Sequence, residues 1–111
     1  MAGRYVPDAG DIVWLRFNPQ ADQERAGHRP AVVISPAAYN HRTNLMLCCP
    51  MTTHIKGYPF EVVMAGKRPS AVLADQVKSL DWVERKAQFK GKAAAAELAG
   101  VRARIIALVG G

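Results

Sequence analysis

Glu24-Arg25-Ala26-Gly27-His28-Arg29-Pro30 runs straight into Ala31-Val32-Val33-Ile34-Ser35. The second half is an almost unbroken apolar run, the pattern of a strand covered on both faces, and it predicts a central strand from Arg29 to Ser35. The first half puts a glycine hinge, a histidine and an arginine where a polar loop enters that strand. Polar groups held against a rigid element are well placed to carry function. Upstream, Pro7-Asp8-Ala9-Gly10-Asp11 is a turn cluster and Ile12 to Phe17 reads as a first strand. The polar segment Asn18 to His28 between the two strands reads as a loop, long enough to suggest a role of its own.

Downstream, Pro36 to Thr43 reads as a break or a single helical turn, and Asn44 to Thr52 as a third strand. Pro50 has no N–H to give to a ladder, which predicts an edge or a bulge at that end. After the polar loop His54 to Pro59, Phe60 to Met64 alternates as a half-buried strand, and strand propensity returns around Val72-Leu73 and Val77 to Leu80. Ala94, Leu98, Val101, Ile105 and Leu108 then recur at helical steps, with Gly110 as a stop. Gly100 weakens that helix by about 1 kcal/mol relative to alanine. Short strands followed by one amphipathic helix predict a small, strongly curved sheet or barrel, mainly β, with a C-terminal helix packed on it.

The 111 residues suit a single domain, residues 1–111, with no repeats and no linker. Half are hydrophobic and 22% charged, an ordinary globular balance. The formal charge of +6 is spread over both halves, six basic against four acidic side chains in residues 1–60 and nine against five in residues 61–111. Such a surface favours polyanions, nucleic acid first. Cys48 and Cys49 are adjacent, point to opposite faces of a strand and do not bridge each other, which suits a reducing cytosol. Neither a signal-peptide core nor an apolar run of membrane-spanning length is present, so a cytoplasmic protein with no membrane partner is expected.

His28, His41 and His54 stand thirteen residues apart and share no ligand spacing with the cysteines, so no metal site and no cofactor is expected. Glycine-rich phosphate loops and a Gly-x-Ser-x-Gly nucleophile setting are absent as well. The residues that remain suit a phosphodiester. Arg29 offers a planar fixed cation for two phosphate oxygens, Thr52 a hydroxyl donor, Glu24 a proton acceptor and His28 a proton shuttle near neutral pH. Each has an ordinary alternative. An arginine opening a strand commonly pairs with a surface carboxylate, and a threonine is a common β-former. A loop glutamate is commonly solvated, His28 can serve only to hold its loop, and Asp75 can cap a strand end. Trp14 and Trp82 sit inside apolar runs and read as core or interface rather than as base-stacking platforms.

The combination of Arg4-Tyr5-Val6-Pro7-Asp8-x-Gly10-Asp11, Gly27-His28-Arg29-Pro30-Ala31-Val32-Val33, Thr52-Thr53, Lys56-Gly57-Tyr58-Pro59-Phe60-Glu61-Val62 and Ala74-Asp75-Gln76-Val77-Lys78-Ser79 closely resembles the MazF (PemK-like) toxins of bacterial toxin–antitoxin systems. The resemblance runs from Arg4 to the C-terminal helix with the motifs in the same order. It implies an SH3-like (PemK/CcdB-like) barrel acting as a homodimer. It also implies a metal-independent endoribonuclease that cuts single-stranded RNA by 2′-hydroxyl attack, leaving a 2′,3′-cyclic phosphate and a 5′-hydroxyl. By motif match Arg29 is the main catalytic residue, Thr52 the second essential contact and Glu24 a supporting acid/base or positioning group. His28, Lys56, Asp75 and Gln76 are expected to bind RNA or support the site. Some relatives carry an arginine two residues before the aspartate, where this chain has Leu73. The expected partner is a cognate antitoxin whose acidic tail covers the basic groove. Two other readings use the same fold or charge: a toxin that inhibits DNA gyrase by binding, as CcdB does, and a non-catalytic RNA-binding module.

Overall fold

The computed structural model of the chain describes residues 4–16 and 28–110. The described residues form seven strands, β1 (Asp11–Arg16), β2 (His28–Val33), β3 (Leu45–Thr52), β4 (Glu61–Met64), β5 (Ser70–Leu73), β6 (Lys78–Asp81) and β7 (Gln88–Lys92). Helix α1 (Ala37–Thr43) joins β2 to β3, a short 3-10 turn spans Ala74–Gln76, and α2 (Ala95–Val109) ends the fold. The strands form one antiparallel sheet in the order β4-β5-β3-β2-β1-β7, with β6 paired to the first half of β3. This is the expected mainly β half-barrel with a C-terminal helix.

Two apolar clusters lie on opposite faces of the sheet, and the two-residue period of the strands sorts side chains between them. Val13, Leu15, Ala31, Val33, Met46, Cys48 and Trp82 make up one. Val32, Cys49, Met64, Val72, Ala74 and Val101 make up the other, with Leu98 and Ile105 of α2 packed against it. Cys48 and Cys49 therefore face away from each other, and both are free thiols. Burial pushes each thiol pKa up to about 12.

A polar hub fixes the start of the fold against α1. Asn40 is fully buried; its amide donates to the Pro7 and Ser35 carbonyls at 2.7 and 3.0 Å, and its oxygen accepts the Ser35 hydroxyl at 2.6 Å. The Asn40 carbonyl accepts the Trp82 indole N–H at 2.8 Å. In the opening turn Gly10 adopts φ +91, a conformation glycine reaches without strain. Its N–H donates to Val33 O and its carbonyl accepts from Ala93 N, both at 2.8 Å, which ties β2 to the entry of α2. The buried Asp11 carboxylate accepts the Tyr5 hydroxyl at 2.6 Å and pairs with Lys92 at 3.3 Å.

Four local expectations change. Pro50 is not at an edge: β3 is interior, and Pro50 lies between Cys48, the last residue paired to β6, and Met51, the first paired to β5. The missing N–H thus falls at a change of partner, where neither ladder uses it. The Pro36 to Thr43 segment forms a seven-residue helix, α1, closed by Asn44 at φ +60, rather than a single turn. His28 belongs to β2, not to the loop before it. Gln88–Lys92 forms an unexpected edge strand, paired to β1. The expectations for Phe17 and for the loop from Asn18 to Gly27, Glu24 included, fall outside the described residues.

Candidate active site

Thr52 ends β3, and beyond it the chain forms the wall of a cleft of about 270 Å³. Thr52, His54, Lys56, Tyr58, Phe60, Glu61, Leu73, Asp75 and Gln76 line it, with Phe60, Tyr58 and Leu73 supplying apolar surface and the others polar groups. Four of the expected site residues, Thr52, Lys56, Asp75 and Gln76, are therefore brought together. Two segments deliver them: the stretch after β3, and the 3-10 turn after β5.

The wall is fixed from behind. Glu61 is 8% exposed; its Oε1 accepts the Gly57 N–H at 2.8 Å, and both of its oxygens lie within reach of the Lys56 N–H, at 3.1 and 3.2 Å. A carboxylate holding backbone donors makes charge-assisted bonds, stronger than neutral ones. Gly57 turns the loop at φ +79. On the far side, the Arg104 guanidinium of α2 donates to Pro59 O at 2.9 Å, and Ala74 N donates to Phe60 O at 3.0 Å. The loop is thus braced by its own strand, by the turn carrying Asp75 and by α2.

The Thr52 hydroxyl oxygen accepts the His54 N–H at 3.0 Å. That bond uses an acceptor lone pair and leaves the hydroxyl proton available for donation, as binding an anionic oxygen requires. Lys56 Nζ lies 5.6 Å from the centroid of the Tyr58 ring, so cation and aromatic face sit side by side.

Arg29 is exposed on β2 and does not line this cleft. Its relation to Thr52 follows from the strand register. Ala31 faces Pro50 at the last pair of the β2–β3 ladder, and the same register continued one side-chain repeat further would bring Arg29 opposite Thr52 on the same face. His28 points the other way. Its ring stacks on Trp14, with centroids 6.1 Å apart, and it lines a separate cleft with Arg16, Lys86 and Gln88. Trp14, expected in the core or at an interface, is partly buried and outside both cores, whereas Trp82 is buried as expected.

His54, Tyr58, Phe60, Glu61 and Leu73 line the cleft without having been singled out as site residues. Four of them lie within or beside the Lys-Gly-Tyr-Pro-Phe-Glu block, and that compact turn was the available signal. Among the described residues no cluster of three or more histidine, cysteine, aspartate or glutamate side chains could hold a metal ion.

Residues 8–109 match the family model described as PemK-like, MazF-like toxin of type II toxin-antitoxin system. The chain belongs to that family. It is 53% identical over 111 residues to the endoribonuclease toxin MazF of Escherichia coli strain K12, covering 99% of this chain and all of that protein. Among solved structures, MazF from Deinococcus radiodurans is similar, with a TM-score of 0.87 and 51% identity over 97% of this chain and all of that one. A MazE–MazF complex from the same organism aligns with a TM-score of 0.86 and 48% identity over 96% of this chain and 98% of the other. Family relatives thus carry the half-barrel and C-terminal helix described above, are named as endoribonucleases and have been solved with an antitoxin, which favours the nuclease reading over the gyrase-binding and non-catalytic ones.

Proposed function

We propose that this MazF-family chain is a sequence-specific, metal-independent endoribonuclease toxin acting on single-stranded RNA, with residues 1–111 as one toxin domain. The observation that supports the site assignment is the β2–β3 register, which, continued two residues beyond the Ala31–Pro50 pair, brings Arg29 opposite Thr52, and Thr52 lines the cleft with Lys56, Asp75 and Gln76. RNA brings its own nucleophile. The ribose 2′-oxygen attacks the adjacent phosphorus, the bond to the 5′-oxygen breaks, and the products are a 2′,3′-cyclic phosphate and a 5′-hydroxyl. The proton leaving the 2′-hydroxyl needs an acceptor and the departing 5′-oxygen a donor, and family resemblance assigns Glu24 a supporting part in that exchange.

Arg29 stabilises the charge that builds on the non-bridging oxygens, and the Thr52 hydroxyl donates to one of them. Lys56 offsets the charge of a neighbouring phosphate. The apolar surface of Phe60, Tyr58 and Leu73 receives a base, whose edge Asp75 and Gln76 are positioned to read. His28 supports the substrate from the opposite face of β2.

The protein works in the cytoplasm as a homodimer held in check by a cognate acidic antitoxin, whose tail the +6 surface would attract. Among the described residues no helix is long and apolar enough to cross a membrane. Outward apolar side chains, Leu45 and Leu47 on β3 and Ile106, Leu108 and Val109 on α2, offer surface for a second copy.

The test is cleavage of long single-stranded RNA in EDTA, with both ends of the products mapped. Discrete cuts with cyclic-phosphate and 5′-hydroxyl ends are expected, and a single 2′-deoxy substitution at a mapped cut should abolish it. No cleavage, loss of cleavage on chelation, or cutting at the deoxy position would each sink the reading.

A further inference from the structure

Trp14 and Arg16 on β1, His28 on β2, and Gln88 and Lys90 on β7 share one face of the sheet. The registers set four of them together, since Arg16 pairs with His28 and Trp14 with Gln88 and strand residues two apart point the same way; Lys90, the unpaired residue where the β1–β7 register shifts, joins them through its contact with Trp14. The Trp14 and His28 rings stack at an interplanar angle of 28°, and Lys90 Nζ lies 5.2 Å from the Trp14 centroid. Beside them Arg16, His28, Lys86 and Gln88 line a cleft of about 330 Å³. No carboxylate is among the described residues that line it.

The turn presenting Lys86 is held firmly. The Asp81 carboxylate accepts the Val83 and Glu84 N–H groups, both at 2.9 Å. Arg16 N donates to Arg85 O at 3.1 Å, and the Arg85 guanidinium donates back to Arg16 O at 3.0 Å. Lys86 itself adopts φ +52, a conformation uncommon for a residue with a side chain. A cation is therefore carried at a backbone position that glycine would fill more easily.

We propose that this cleft is a second anion subsite, which holds a backbone phosphate of the single-stranded RNA outside the nucleotides at the cut. The inference rests on the nuclease reading above and extends it to the opposite face of β2. Arg29 directly follows His28, and neighbouring strand residues face opposite sides. One RNA chain passing over the end of β2 thus meets Arg29 on one side and this cleft on the other. An acidic protein segment would find the same charges, but the planar Trp14–His28 pair at the rim and the continuity with Arg29 match a nucleotide chain.

Binding of a 2′-O-methyl RNA that spans the mapped cut and its flanks tests this without cleavage, read by fluorescence anisotropy across a salt series. Lys86→Gly removes the ammonium at a backbone angle glycine adopts freely, so the fold is kept; Lys86→Arg retains the charge. K86G should bind about three- to fivefold more weakly at moderate salt, with the slope of log affinity against log salt flattened by about 0.7, and K86R should restore both. Unchanged affinity and slope in K86G overturn the subsite. So does a loss confined to an acidic peptide with RNA binding intact. Failure of the nuclease reading shows separately, as parent protein that leaves unmodified RNA whole.

Discussion

The Glu61 carboxylate accepts the backbone N–H of Gly57 at 2.8 Å, so the strand behind the cleft fixes the loop in front of it. Glu61→Ala would leave the Gly57 and Lys56 N–H groups without that acceptor and should destabilise the protein by about 1–3 kcal/mol. Urea melts measure the loss. Cleavage should fall further than stability explains, because Lys56 and His54 lose their fixed positions. Arg104→Ala, which frees Pro59 O, should act the same way but more weakly, at about 1 kcal/mol.

Arg29→Ala should lower kcat/KM by at least about a hundredfold, roughly 3 kcal/mol of transition-state stabilisation. Single-turnover cleavage of an RNA carrying one mapped site reads the effect. A change of only a fewfold would demote Arg29 to a binding role.

Thr52 separates hydroxyl from shape. Thr52→Ser keeps both the acceptor for His54 N and the donor proton, and should retain most activity. Thr52→Val keeps the volume and the β-branch but loses the hydroxyl, and should be severely impaired at little cost in melting temperature. Equal activity of the two variants would remove Thr52 from the chemistry.

Alkaline stability should be limited in part by the two buried thiols. In the unfolded chain Cys48 and Cys49 ionise around their ordinary value of 9.0, whereas burial holds both protonated in the native protein up to about 12. Between those values the native state binds more protons, so stability falls as pH rises, by up to about 1.4 kcal/mol per pH unit for each thiol. Below pH 9 that contribution is fully present. Tyr5, raised by burial and by its hydrogen bond to Asp11, adds a loss of the same sign above pH 10. Urea midpoints on either side of pH 9 should show the slope, and a Cys48→Ala, Cys49→Ala protein should flatten it.

Asn40→Ala should cost about 3 kcal/mol or more, since the Ser35 hydroxyl and the Pro7 carbonyl lose a buried partner together. A drop in melting temperature well above ten degrees checks it, at about 4–8 °C per kcal/mol for a domain of this size.

Much of this was legible in the residues, for physical reasons that also explain what was not. The β2 run is apolar on both faces because both faces are covered, and α2 shows its stripe because Leu98, Val101 and Ile105 meet one core. β7 escaped notice because Gln88-Phe89-Lys90-Gly91-Lys92 has little strand pattern of its own; it is a strand because β1 supplies a partner. Lysines on such an edge also discourage pairing with another chain. Arg29 and Thr52 could be named from residue type and motif, but their relation depends on β2 pairing with β3, which no local pattern encodes. His28 and Arg29 looked like members of one cluster in sequence. Strand alternation sends them to opposite faces, and Trp14 follows His28 outward.

Cys48 and Cys49 are one peptide bond apart, yet each is a fully buried member of a different core. Val32 and Val33, their partners on β2, divide in the same way. Neither core can come apart without pulling on the backbone that the other is packed around. The half-barrel should therefore melt in a single all-or-none transition, with no partly folded form in which one face survives the loss of the other.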